Sequence, residues 1–153
     1  DLGAPKITNL IFDAAGRAVA LIDLDTVARM PLPLELGDAL RSWCCPRGEE
    51  REGPIDLSLV AAALEGYAAG VAGLPTAAEI AGVAPAVRLI AVELAARFCA
   101  DALEERYFGW DRARFGSVAE HNLVRARAQL SVARSVARRL SAMEALVART
   151  LTP

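Results

Sequence analysis

Residues 5–41 read PKITNLIFDAAGRAVALIDLDTVARMPLPLELGDALR and change periodicity twice within a short span. Residues 10–12 (LIF) and 18–23 (AVALID) are short apolar runs separated by turn formers, the pattern of paired strands. Between them Asp13 opens a turn and Gly16 stands fourth in it, which suits a type I turn followed by a bulge. The reading is a β-hairpin over about 9–24. Asn9 precedes its first strand and Asp23 ends its second, so antiparallel pairing brings both side chains to the open end. Met30-Pro31-Leu32-Pro33 is expected to be non-helical, since each Pro lacks an N–H and pushes its predecessor toward extended geometry. A helix is expected over 36–45, with Glu35 and Asp38 near its N-terminus, where negative charge is favoured.

Residues 47–54 are charged and carry Gly and Pro, so they read as an exposed loop. Beyond them the pattern is helical. Asp56 or Ser58 caps a helix running to about Gly70, with Leu59, Ala63, Tyr67 and Val71 in one stripe. Thr76 and Glu79 form a capping box for a second helix reaching about Glu105, which Pro85 is expected to interrupt or kink. Its stripe is Val83, Val87, Ile90, Leu94 and Phe98. Residues 109–116 read as a loop with aromatic anchors. One long final helix is expected over 118–149, with Val132, Val136, Leu140, Met143 and Val147 on one face. A hairpin followed only by helices, without βαβ alternation, argues against a Rossmann sheet. The expected architecture is a single, mainly α domain over 1–153, with a small N-terminal β-hairpin at 9–24 and a helical bundle at 36–149.

Composition sets the outer bounds. With 153 residues, 54% hydrophobic and 24% charged, the chain can bury a sizeable core and is not of a disordered type. Its 17 basic and 19 acidic residues give a formal net charge of −2, which calls for neither nucleic acid nor an anionic membrane. Cys44, Cys45 and Cys99 make an odd set without zinc spacing, so buried or half-buried free thiols in a reducing cytoplasm are expected. No signal peptide opens the sequence and no charge-free apolar run is long enough to span a membrane. The first residue is Asp1, not Met, which fits a processed or excised piece of a longer chain.

Asn9 and Asp23 carry the chemical interest. Mg²⁺ takes oxygen ligands, commonly one or two protein groups completed by phosphates and water. An amide and a carboxylate at one hairpin end match that need. Asn and Asp also serve simply as strand-end and turn residues, and spacing alone leaves both readings open.

The combination of GxPKxxN at 3–9, the hairpin, IDLDT at 22–26 and ELGDALR at 35–41 resembles the phosphotransferase family of aminoglycoside phosphotransferases, choline kinases and N-acetylhexosamine kinases. The closest likeness is to the hexosamine-kinase-like branch, whose members read roughly HxDxKxxN, IDLDT and DxGDxxR. Tyr107-Phe108, His121-Asn122-Leu123, Arg125-Ala126 and Gln129 add to it. The likeness covers nearly the whole chain but only the C-terminal lobe of such a kinase. It implies a protein-kinase-like C-lobe, with Mg²⁺ and ATP as cofactors and a sugar or aminoglycoside-like hydroxyl as acceptor. Asn9 and Asp23 then correspond to the metal-binding pair at the ATP phosphates, Asp25 supports the metal or its waters, and Lys6 is the catalytic-loop Lys near the transferred phosphate. Glu35, Asp38 and Arg41 fall where the family braces this loop.

Two departures matter. The family's His and catalytic Asp fall at Leu2 and Ala4, and Ala cannot accept a hydroxyl proton. Neither a Gly-rich phosphate loop nor a strand Lys precedes Asn9, so the N-lobe is expected to be missing from this chain. The expected function is that of a small-molecule kinase C-lobe, inactive by itself. The alternative is a non-catalytic, truncated pseudokinase-like module that binds a partner or self-associates through Leu10, Phe12 and Leu21.

Other residues carry less. His121 is the only histidine and has no nucleophile signature beside it, so it is expected to begin the last helix. Glu93 and Arg97 are spaced for a helical ion pair. The Arg-rich final helix reads as a solvated face, because no aromatics interleave for base stacking.

Overall fold

The computed structural model describes residues 7–23, 28–71, 73 and 75–152. Among them a single 3₁₀ turn, Ile7–Asn9, leads into strands β1 (Leu10–Phe12) and β2 (Ala18–Leu21). Five helices follow: α1 (Leu32–Trp43), α2 (Leu57–Gly70), α3 (Ala77–Glu104), α4 (Val118–Arg138) and α5 (Leu140–Leu151). The chain is thus mainly helical with a small N-terminal antiparallel hairpin, as its sequence pattern implies.

The hairpin forms through the turn chemistry read from sequence. Gly16 N–H donates to Asp13 O at 3.0 Å, and Gly16 takes the left-handed backbone (φ 77°) that closes a type I turn. Asp13 Oδ1 also accepts from the Ala15 and Arg17 N–H groups, both at 2.9 Å. The register pairs Leu10 with Leu21 and Ile11 with Ala20, then slips at a bulge so that Phe12 faces Ala18.

Three helical expectations need correction. Leu32 and Pro33 lie inside α1, which starts four residues earlier than read and has Pro31 as its N-cap. In a first turn the N–H that proline lacks has no intrahelical partner to lose, so the two Pro residues start this helix and do not block it. Pro85 does not interrupt α3, which runs unbroken from Ala77 to Glu104 behind the Thr76–Glu79 capping box. The long final helix is divided at Arg139 (φ −120°, ψ 15°) into α4 and α5. Arg139 Nη1 bonds Ile55 O at 3.1 Å, and the break lets α5 pack across α2 and α3. No Gly or Pro marks that break, so only tertiary packing reveals it.

The core lies among the helices. Leu36 and Leu40 of α1, Val60 and Leu64 of α2, Val83 and Val87 of α3, Val136 of α4, and Met143 and Val147 of α5 form one buried cluster. The α2 stripe is displaced by one residue: Val60 and Leu64 are buried, whereas Leu59 is 40% exposed. The α1–α3 contact is close because residue 37 is Gly; a Cβ there would lie 2.9 Å from Ala86 Cβ. The broadest packing is α3 on α4, where alanines such as Ala91, Ala95, Ala126 and Ala133 are buried. Among the described residues no helix is long and apolar enough to cross a membrane.

Candidate functional site

The hairpin ladder continues one step past its strands, with Ile22 N–H donating to Asn9 O at 2.9 Å. That bond sets residues 9 and 23 side by side. Asn9 Nδ2 donates to Asp23 Oδ2 at 3.4 Å, the long end of hydrogen-bond range. Asp23 is exposed and holds left-handed backbone (φ 61°), a conformation that Asp tolerates better than most residues. The two side chains that the sequence placed at one hairpin end therefore do meet. Lys6, Asp25 and Ala4 lie outside the described residues. Among the described residues, no group of three or more His, Cys, Asp or Glu side chains gathers to hold a metal.

In the first two turns of α1, Asp38 Oδ1 accepts from Arg41 Nε at 2.9 Å and Nη2 at 2.8 Å. The Arg41 side chain is only 3% exposed and also reaches Gln129 Oε1 of α4 at 3.3 Å and Glu49 at 3.6 Å. Arg41 thus ties α1 to α4 and to the 46–54 loop, and Asp38 balances its buried charge.

A second polar cluster, which no sequence motif marks, lies at the end of α3. Asp101, near the end of α3, accepts from the backbone N–H groups of Arg106, Tyr107 and Phe108 at 2.9, 2.7 and 2.9 Å, and from Asn122 Nδ2 at 2.9 Å. The Phe108 N–H, helped by the others, holds its carboxyl below the usual carboxylate range against the opposing effect of burial. These bonds fold the chain back after Glu105, itself in left-handed backbone (φ 52°). Arg125 Nη1 completes the turn by bonding Gly109 O at 2.8 Å. His121, read as a helix-starting residue, stands in the first turn of α4 and is 1% exposed. Its Nε2 lies 2.8 Å from Glu50 Oε1, its Nδ1 accepts from Asp111 N–H at 3.2 Å, and Phe115 stacks on its face at 4.0 Å. Glu50 also pairs with Arg114 at 2.6 Å. Glu50 and His121 are 71 residues apart, so no local pattern could have joined them.

The cysteines are free. Burial pushes the Cys44 thiol up to about 12 and the Cys45 thiol up to about 11, which leaves neither as a thiolate nucleophile. Cys99 is exposed, contrary to the expectation of a covered thiol, because α3 turns that face outward. The expected Glu93–Arg97 pair forms at 3.7 Å on an exposed face. A cleft of about 330 Å³, lined by Pro46, Arg47, Pro54, Ile55, Asp56, Leu57 and Arg139, contains none of the candidates read from sequence. No protein-family model matches the sequence.

Proposed function

We propose that this chain is the kinase-like C-terminal lobe of a small-molecule phosphotransferase, with Asn9 and Asp23 as its metal-side residues. The observation that carries the reading is their meeting at the open end of the hairpin, 3.4 Å apart. Their chemistry fits Mg²⁺: one carboxylate and one amide oxygen, with Asp23 exposed and able to share an ion with phosphates and water. Asn9 would offer its oxygen once its amide turns over from the hydrogen bond it now donates. Bound Mg²⁺-ATP would supply the phosphoryl group for a hydroxyl of a sugar or aminoglycoside-like acceptor, with its charge offset by the metal. Lys6 would lie near that group, and Asp25 would support the metal or its waters. Ala4 stands where a proton acceptor is needed, so the lobe on its own is expected to be feeble in transfer.

Thermal-shift titration with Mg²⁺-ATP tests the reading. A rise in Tm is expected, lost in Asp23→Ala and reduced in Asn9→Ala. No rise, or one that both variants retain, defeats it. Ala4→Asp in a chain joined to an N-lobe is expected to raise phosphoryl transfer about 10²–10⁴-fold, the usual worth of a positioned proton acceptor.

A second reading, a non-catalytic self-associating module, has one observation in its favour. Ile11, Phe12, Val19 and Ile22 are 46%, 49%, 60% and 47% exposed on the hairpin and its exit. Light scattering across a concentration series is expected to show association that Val19→Asp weakens; a monomer at every concentration counts against it.

A further inference from the structure

Three segments meet on one buried imidazole at the start of α4. The 46–54 loop sends Glu50 to Nε2 of His121, and the 109–116 loop sends the Asp111 N–H to Nδ1. The ring belongs to α4 itself. An Nδ1 that accepts fixes the neutral tautomer with its proton on Nε2, which then donates to Glu50. The other charged groups here are Arg114, paired with Glu50 and 3.8 Å from the Asp111 carboxylate; Glu120, whose carboxylate accepts the Gly116 N–H at 2.7 Å; Arg125, bonded to Gly109 O; and, from α3, Asp101, bonded to Asn122. From α1, Arg41 reaches the same loop at Glu49.

We propose that His121 is a proton-operated latch: neutral, it holds the Asp111 amide of the 109–116 loop; protonated, it releases that amide, while the Glu50–Arg114, Glu120–Gly116 and Arg125–Gly109 bonds keep the rest of that loop and the 46–54 loop in place. One proton acts oppositely on the two bonds. At Nδ1 it turns an acceptor into a donor that faces the Asp111 N–H, and two donors cannot bond. At Nε2 the donor remains and gains a positive charge beside Glu50. Burial alone would raise the Glu50 carboxyl, but its bonds from His121 and Arg114 outweigh burial and keep it ionised below the ordinary range. The ring is 1% exposed, so the two opposed donors meet on a desolvated imidazole. Phe115, between the anchored Arg114 and Gly116, stays stacked on the ring.

His121 is the only histidine, so its ring nitrogens can be followed by NMR in the full chain without ambiguity. Across a pH series from neutral to acid, amide exchange is read in both loops and corrected for intrinsic rates. Protection of the Asp111 amide is expected to fall about tenfold, the order of one hydrogen bond, while residues 46–54 keep theirs. His121→Gln, which cannot titrate, is expected to abolish the fall, and Glu50→Gln, which leaves the Nδ1 contact alone, to preserve it. Protection that does not change with pH, an equal fall in His121→Gln, or release of both loops together overturns the latch. A ring nitrogen signature of the opposite tautomer at high pH overturns it whatever the variants do.

Discussion

Asp101 shows how one side chain can close a loop that no motif announces. Its two oxygens take three backbone N–H groups of the turn after α3 and the Asn122 amide, which keeps those donors paired where the chain folds back. Because the folded state depresses this carboxyl, its contribution is fully present above the ordinary Asp value of about 4. It is lost as pH falls below that value through the folded-state one. Asp101→Asn is therefore expected to lower the urea midpoint at neutral pH, with the gap to the parent protein narrowing in acid. A constant gap across pH would assign the loss to packing. Asn9 and Asp23 differ in legibility. Their juxtaposition follows from hairpin register, which turn chemistry sets locally. Asp101 takes three local N–H groups that no motif marks, whereas its bond to Asn122 and that of His121 to Glu50 depend on helix packing, about which the sequence pattern is silent.

Among the elements, the hairpin turn and the caps of α2 and α3 are legible in the sequence, whereas the start of α1 and the buried face of α2 are not. Asp56 accepts from Ser58 N–H at 2.8 Å and starts α2, and Thr76 with Glu79 starts α3, as their sequence signatures imply. The composition of α2 is apolar nearly all round, so periodicity does not choose between Leu59 and Val60, and packing buries Val60. Leu64→Ala is expected to destabilise by about 2–5 kcal/mol as a buried truncation. Leu59→Ala is expected to change stability by less than about 0.5 kcal/mol. Denaturant unfolding of the pair checks the register of the helix, and equal losses would contradict it. The division of α4 from α5 has the same origin. Arg139 leaves helical geometry to serve Ile55 O, a contact 84 residues away in sequence.

Across the whole molecule, the helical core and the hairpin are unequal partners. The broad packing runs among the helices, while the two strands pair chiefly with each other and expose apolar side chains. A two-stranded hairpin without a packed face is marginal in water. Amide exchange is expected to open Ile11 and Ala20 with far lower free energy than the middle of α3, where Val87, Ala91 and Ala95 are buried. On the proposed function, Mg²⁺-ATP is expected to slow the hairpin amides first; unchanged hairpin exchange on its addition counts against that proposal. Equal protection in hairpin and α3 would show that the hairpin is held by more than its own pairing.

The sequence by itself determined the hairpin, its turn and register, the caps of α2 and α3, and the meeting of Asn9 with Asp23. Each depends on residues within about one turn or one hairpin of each other, where backbone sterics and short hydrogen bonds decide. Tertiary structure alone decided the break at Arg139, the buried face of α2, the placing of Arg41 between Asp38 and Gln129, and the joining of Glu50 to His121. Those outcomes turn on which helices share a core, and local propensity carries no information about partners brought together only by burial.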